Sequence, residues 1–317
     1  LGTDDIVALG TDHVSALTTA QIVALTTQQI ASLTTDQIGA LGSAQIAAIQ
    51  TADLRAMTTA QLAAFDSADI VALTTGQVAS LRTDQIAALT SSQFEALESA
   101  DLRALSSAQI RALSTDNIAA LTTTQATMLT SAQVAAMTTT QIVAMETDDL
   151  RALNTATIGA LGTATVAALT TDQVAALTTA QIVALTVPQM NAMTTAEVAA
   201  LTTAQVAAIP VADLRLLGTA QIGALSTDGI AALGTAQVSS LTSVQIAATA
   251  MAPAPTNRTS CTKMPSMMSL IGSLPVRAPL VRIGSSTPNE MTSPASIAIP
   301  TVIPIRCPTP IIAIERP

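Results

Sequence analysis

The sequence predicts an all-α fold, a solenoid of very short helices with one helix for each eight-residue repeat, followed by a disordered tail. Two observations support this fold. A segment similar to residues 17–24, LTTAQIVA, recurs 31 times from Leu1 to Ala248 without insertion or deletion. At Thr249 the pattern stops, and the remaining residues contain 12 of the 14 prolines. A repeat this regular predicts one body that grows by adding units.

Each octad carries two apolar positions, numbered here from the leucine. Position one is Leu, Ile, Met or Phe in all 31 copies, and position six is apolar and larger than Ala in 30, the exception being Ala126. We expect these two positions to form the buried core. Burying one such side chain contributes roughly 1.5–3 kcal/mol, which a helix too short to be stable alone requires.

Three structures can repeat every eight residues. One continuous helix turns by about 800° over eight residues, so its apolar positions would spiral around the axis instead of forming one face. A β-solenoid is the alternative that stays open, although positions one and six would point to opposite faces of a strand. A chain of short helices fits best, because residues such as Ala and Gln favour helix over strand.

The near-invariant hydroxyl at position three predicts where each helix starts. Thr or Ser occupies this position in 29 octads, and we interpret it as the N-cap. Variable position two is then the link between helices, where Pro210 lies outside the helix, and Pro188 takes the first helical residue. The small residue at position eight is expected to let adjacent helices approach.

Two domains follow from the change in composition. Residues 1–248 form the octapeptide-repeat solenoid, and residues 249–317 form a Pro- and Ser-rich tail that we expect to be mostly disordered. The tail holds both cysteines, Cys261 and Cys307, whose pairing the sequence leaves open. Because Leu1 is the first position of a complete octad and is not Met, we expect flanking domains of a longer chain.

Acidic residues at position five follow a longer rhythm of 48 residues, or six octads. If six octads make a whole number of superhelical turns, these acids line up as a stripe that could bind a cation or a basic partner. Duplication of a 48-residue block explains the same spacing without any function. The predicted interaction stripe consists of Asp5, Asp53, Asp101, Asp149 and Glu197.

No group of residues predicts catalysis, and we expect no enzymatic activity, no cofactor and no metal site. The only histidine, His13, replaces the usual glutamine at position five, which we interpret as a solvated position. The paired carboxylates Asp4-Asp5 and Asp148-Asp149 lack the spacing of a calcium loop and are expected to stabilise helix starts.

The charge distribution argues against nucleic acid as a partner. The octads hold 6 Arg against 19 acidic residues, a net charge of −13, whereas the tail carries +4 without any aromatic residue for base stacking. No apolar run is long enough to span a bilayer. The remaining partner class is an unidentified protein or a surface.

The octad at residues 177–184, LTTAQIVA, resembles the octapeptide arrays of very large bacterial secreted or surface proteins. The resemblance covers residues 1–248, and such proteins are often described as adhesion, haem-utilisation or haemolysin-type calcium-binding proteins. The resemblance implies an extracellular or cell-surface location and a role in adhesion or display. The Gly-Gly-x-Gly-x-Asp calcium repeats that accompany some of these arrays are absent from this sequence.

The function expected from these observations is a non-catalytic structural or spacer module of a larger bacterial protein. The alternative is a ligand-binding solenoid that recognises a protein, a glycan or a cation along its acidic or Thr-rich face. Ice binding by the paired threonines, such as Thr18-Thr19, is a more distant third.

Overall fold

The computed structural model describes residues 1–250. These residues form 31 short helices and no strand, with one helix in each octad. The predicted all-α solenoid is confirmed, and the alternative of a β-solenoid is wrong. The helices are α1 (Thr3–Val7), α2 (Thr11–Ser15), α3 (Thr19–Ala24), α4 (Thr27–Ser32), α5 (Thr35–Gly39), α6 (Ser43–Ala48), α7 (Thr51–Ala56), α8 (Thr59–Ala63), α9 (Ser67–Ala72), α10 (Thr75–Ser80), α11 (Thr83–Ala87), α12 (Ser91–Glu95), α13 (Ser99–Ala104), α14 (Ser107–Ala112), α15 (Thr115–Ala119), α16 (Thr123–Met128), α17 (Ser131–Ala136), α18 (Thr139–Ala144), α19 (Thr147–Ala152), α20 (Thr155–Gly159), α21 (Thr163–Val166), α22 (Thr171–Ala176), α23 (Thr179–Ala184), α24 (Val187–Ala192), α25 (Thr195–Ala199), α26 (Thr203–Ala208), α27 (Val211–Leu214), α28 (Thr219–Ala224), α29 (Thr227–Ala232), α30 (Thr235–Ser240) and α31 (Ser243–Ala250).

Each helix begins at position three, so the N-cap is position two and not position three as the sequence suggested. In α23, Thr178 has an extended backbone and its hydroxyl accepts the N–H of Gln181 at 3.2 Å. Thr179, the predicted cap, is already the first helical residue. The amide oxygen of Gln181 accepts the N–H of Thr178 at 2.8 Å in return, which closes a capping box across positions two and five.

Position two is therefore a cap and not a link. It is Thr, Ser, Asp or Asn in 20 octads and Gly in six, all residues that favour an N-cap. Glycine at position two has no side chain to accept the N–H of position five. The side chain at position five still accepts the N–H of position two, as at Gly42, whose N–H donates to Gln45 Oε1 at 2.7 Å. Pro188 occupies the second helical residue of α24 and Pro210 the N-cap of α27.

Positions one and six form one continuous core, as predicted. Ile142 and Leu150 at position six are fully buried, and Leu153 and Leu161 at position one are almost fully buried. Methionine replaces leucine at position one without leaving the core: Met57, Met137, Met145 and Met193. Residues of both positions belong to one hydrophobic cluster that runs along the array.

Helices pack against their third neighbours along the chain, not against the next helix. All extensive helix pairs, such as α7 with α10 and α10 with α13, are three octads apart. At Gly159, position seven lies close to position eight three octads later. A Cβ built on Gly159 would lie 3.2 Å from the carbonyl oxygen of Ala184. The backbone of α20 thus lies close to the end of α23 at this point.

The tail lies mostly outside the described residues, and helix α31 ends at Ala250. The sequence-based expectations for residues 251–317, including those for Cys261 and Cys307, fall on that part of the chain. They stay predictions.

Candidate functional site

A row of buried glutamines at position five joins successive turns of the solenoid. Gln141 of α18 is 3% exposed. Its side-chain nitrogen donates to the carbonyl oxygens of Ile110 at 2.9 Å, Arg111 at 3.4 Å and Leu113 at 2.8 Å. These carbonyls lie at the carboxyl end of α14, four helices earlier. The same amide thus satisfies the end of one helix while its oxygen accepts the Thr138 N–H of its own helix start.

This arrangement also shows how the octads are stacked. Because α18 packs on α15 while Gln141 reaches the end of α14, α18 lies over the junction between α14 and α15. One turn therefore needs between three and four octads. The glutamine is the residue that fixes this register, since its bonds to the α14 carbonyls are made only when both turns are in place.

The burial of position five was missed at the sequence level, where the position was interpreted as solvated. The signal was present: Thr and Gln three residues apart, as in Thr18 and Gln21, are a capping box. At the start of the array that interpretation does hold, because no octad lies four before it. His13 is exposed there, and its Nδ1 accepts the Gly10 N–H at 3.3 Å.

The helices that carry the five predicted stripe acids lie in one row. Contacts run from α1 to α4 and on through every third helix to α25. However, Asp53, Asp101, Asp149 and Glu197 are only 1–4% exposed, and Asp5 alone is exposed. The row does not present a stripe of exposed carboxylates, because position five faces the preceding turn. A role in binding a partner stays a prediction.

A carboxylate at position five cannot make the bonds to the preceding turn that glutamine makes, because it has no N–H to donate. Asp53 accepts the Thr27 hydroxyl at 2.6 Å, whereas Asp101 Oδ2 is buried without a hydrogen-bond partner among the described residues. Asn117 has the same shape as aspartate and donates its side-chain N–H to the Leu89 carbonyl at 3.1 Å. Aspartate lacks that donor, so these octads lose a bond between turns.

Burial raises the pKa of two of these carboxyl groups. Desolvation is the main cause for Asp149, where Glu146 and Asp148 add repulsion and a hydrogen bond from Thr123 opposes the rise in pKa. Desolvation also raises the pKa of Asp69, against a backbone hydrogen bond at Asp66, whose carboxylate adds repulsion. Each ionised group therefore disfavours the folded state.

The other candidate residues lie at helix starts. Asp4 and Asp148 are exposed, and Asp5 accepts the Gly2 N–H at 2.8 Å as a helix-start bond. Within residues 1–250, no three His, Cys, Asp or Glu side chains are grouped closely enough to hold a metal ion. No helix in this part of the chain has the length and hydropathy to cross a membrane.

The paired threonines are used unequally. In α18, the Thr138 hydroxyl accepts the Gln141 N–H at 3.2 Å, and it lies 2.9 Å from the Thr140 hydroxyl. Its neighbour Thr139 is exposed. One of the two threonine rows is thus occupied by capping, so the pair does not form a lattice of unengaged hydroxyls.

Residues 16–21 read ALTTAQ. In the structure these six residues are the end of one octad, the half-buried core leucine, the N-cap and the first three helical residues, the last being the glutamine of the capping box. A family model of the ALTTAQ repeat matches the chain seven times, at residues 1–35, 19–48, 46–83, 63–98, 94–131, 142–179 and 206–243. The chain belongs to the ALTTAQ repeat family. The ALTTAQ motif therefore contains both the core residue and the capping box of this fold.

A comparison with curated proteins finds no match for this ALTTAQ repeat chain. The family assignment covers the repeat, and the all-helical solenoid is shown by the structure of residues 1–250.

Proposed function

We propose that the ALTTAQ array is a non-catalytic spacer that displays the flanking domains of a larger bacterial secreted or surface protein. The observation that supports this proposal most directly is the recurrence of the same glutamine joint between turns along the array. Octads as far apart as those of Gln37 and Gln245 donate to carbonyl oxygens 28 and 31 residues earlier. A body with one repeated joint lengthens by adding octads while its cross-section stays the same.

The side chains on the outside of the array suit this role. Positions three and four present mainly Thr, Ser and Ala, and the 317 residues include two Phe but no Trp or Tyr. Large aromatic anchors dominate most protein interfaces, and the outer face of the array offers none, since both Phe side chains are buried. We propose that the flanking domains supply adhesion or recognition.

Distances between spin labels test the spacer. Ala60, Ala108, Ala132 and Ala180 are exposed and lie in one row of stacked helices. Cysteine would be introduced at Ala60 and at one of the other three, in a chain with Cys261→Ser and Cys307→Ser. We expect the label distance to grow in proportion to the number of octads between the labels. A distance that stops growing would contradict the spacer.

The proposed location has its own test. An antibody against residues 1–248 should label intact cells, or precipitate the protein from the culture medium, of the bacterium that produces it. Labelling only after the cells are lysed would contradict an extracellular or cell-surface location, without affecting the distance measurement.

A further inference from the structure

The junction between α13 and the preceding turn contains a buried carboxylate oxygen without a partner. Asp101, at position five of this octad, is 1% exposed. Its Oδ2 receives no hydrogen bond from residues 1–250, whereas Asp53 and Asp149 in the matching octads each accept a threonine hydroxyl. Leaving a buried polar atom without a partner is costly, and a bound ion or water is one way in which proteins satisfy such an atom.

Two carbonyl oxygens of the preceding turn converge on the point that position five faces. The side-chain nitrogen of Gln109 shows this, because it lies 3.2 Å from the Ala79 carbonyl oxygen and 2.8 Å from the Leu81 carbonyl oxygen. These two carbonyls lie 30 and 28 residues before the glutamine. One atom between the turns can therefore contact both oxygens.

The corresponding carbonyls before Asp101 are those of Val71 and Leu73, at the end of α9. Neither accepts a hydrogen bond from the described residues. An aspartate is long enough to face them, because Asn117, whose side chain has the same length, donates to the Leu89 carbonyl 28 residues earlier at 3.1 Å. Since an ionised aspartate has no N–H to donate, the junction brings oxygen atoms together without a donor between them.

Position two reaches the same carbonyl from the beginning of the octad. Gln50 and Asp53 are the matching pair six octads earlier, and the Gln50 side-chain nitrogen donates to the Val23 carbonyl oxygen at 2.8 Å. Val23 lies 30 residues before Asp53, so positions two and five meet at one carbonyl. In α13 position two is Glu98, which has the length of glutamine but lacks its N–H. Two carboxylates and two carbonyls therefore meet at the junction of Asp101.

We propose that this junction, which we call the Asp101 junction, binds a hard divalent cation. Its ligands are the carboxylates of Glu98 and Asp101 and the carbonyl oxygens of Val71 and Leu73. Proteins bind Ca²⁺ and Mg²⁺ through oxygen ligands of these kinds, and two carboxylates balance the charge of one such ion. Half of the ligands are main-chain atoms, so the site needs fewer acidic side chains than the groups of three that residues 1–250 lack. The ion joins two turns at the place where glutamine joins them elsewhere.

Isothermal titration calorimetry of the full chain with CaCl₂ and with MgCl₂ tests the proposal. Excess NaCl in the buffer screens the acids on the surface. We expect at least one of the two cations to bind saturably, with a single ion per chain, and to raise the denaturant concentration at which the chain unfolds. Comparison of the two titrations identifies the cation. No saturable binding of either cation would overturn the proposal.

Two substitutions at the Asp101 junction define the residues responsible. Asp101→Gln should abolish binding and keep the helical circular dichroism of the chain, because glutamine is the usual residue at position five. Glu98→Gln should weaken binding by about tenfold, because it removes one of two charged ligands. Asp172→Asn is the matched control, since Asp172 is an exposed acid in α22, and should leave the affinity unchanged. Equal affinity in wild type and Asp101→Gln, or an equal loss in Asp172→Asn, would show that the Asp101 junction is not the site.

Discussion

At the scale of the residue, the buried side-chain amide of Gln141 hydrogen-bonds backbone groups of two different helices. Its nitrogen reaches three carbonyls of the preceding turn and its oxygen reaches the Thr138 N–H. Buried carbonyl and N–H groups without partners are costly. The glutamine bonds the carboxyl end of one helix and the amino end of another, so these two ends need no additional cap from solvent.

Removing this amide should open the array locally. Gln141→Met keeps the length of the side chain but leaves the Arg111 and Leu113 carbonyls and the Thr138 N–H without a partner, while the Ile110 carbonyl still accepts the Leu113 N–H. We expect the free energy of unfolding to fall by about 2–4 kcal/mol. The measurements are faster hydrogen exchange of the Thr138 amide and unfolding at a lower denaturant concentration. Gln21→Met is the control, since Gln21 is exposed and makes only the helix-start bonds. Equal exchange in Gln141→Met and wild type would contradict the bridging role.

The buried aspartates predict a dependence on pH. Because the pKa of Asp149 is raised in the folded chain, the folded state binds its proton more tightly than the unfolded state does. The destabilisation is complete above the raised pKa and is relieved as the pH falls towards the ordinary value of 3.8. Asp149→Asn should therefore be more stable than wild type at neutral pH, and the difference should shrink in acid.

Chemical unfolding of both proteins across this range of pH checks the Asp149 prediction. Asp36→Asn is the control, because Asp36 is exposed in α5 and is not among the groups that raise the pKa of Asp149. A stability difference between Asp149→Asn and wild type that stays constant from neutral to acidic pH would contradict it.

At the scale of the element, the helix is defined by its first turn. The N-cap at position two and the residue at position five are three apart, and the helix ends within three residues of the latter. The hydroxyl at position three, which is more regular in the sequence, makes no side-chain hydrogen bond at Thr179 of α23 and is exposed there. Regularity along the sequence therefore did not identify the residue that caps the helix.

Substitution of the two threonines distinguishes the two capping assignments. Thr178→Ala removes the acceptor of the Gln181 N–H and should lower the free energy of unfolding by about 1 kcal/mol. Thr179→Ala should change stability by less than about 0.5 kcal/mol, as is usual at an exposed site. Denaturant unfolding of the two variants measures both. A larger loss from Thr179→Ala would restore position three as the cap.

At the scale of the whole array, stability comes from contacts three octads apart. A helix such as α18 packs against α15 and α21, and isolated helices of this length are unstable in water. The array is therefore stable only when several turns are present together, as in other solenoids in which unit and interface terms add.

Fragments of different length test this requirement. Residues 137–160 contain three octads and no glutamine bridge, whereas residues 105–176 contain nine octads and the bridge from Gln141 to Ile110. Circular dichroism should show the shorter peptide unfolded and the longer fragment helical. Similar helical signal per residue in both would show that the octads fold independently.

The sequence by itself determined the local structure of this protein. The octad period excludes a single apolar face on one long helix, and the pair at positions one and six identifies the core, because apolar pattern and helix propensity act over a few residues. Only the tertiary structure decided which octads meet and what position five does. Gln141 is buried against carbonyls of a turn that ended about 30 residues earlier, and Asp149 is buried at the same position of its own octad. Local patterns cannot specify the number of octads in a turn, since that number depends on how whole turns stack.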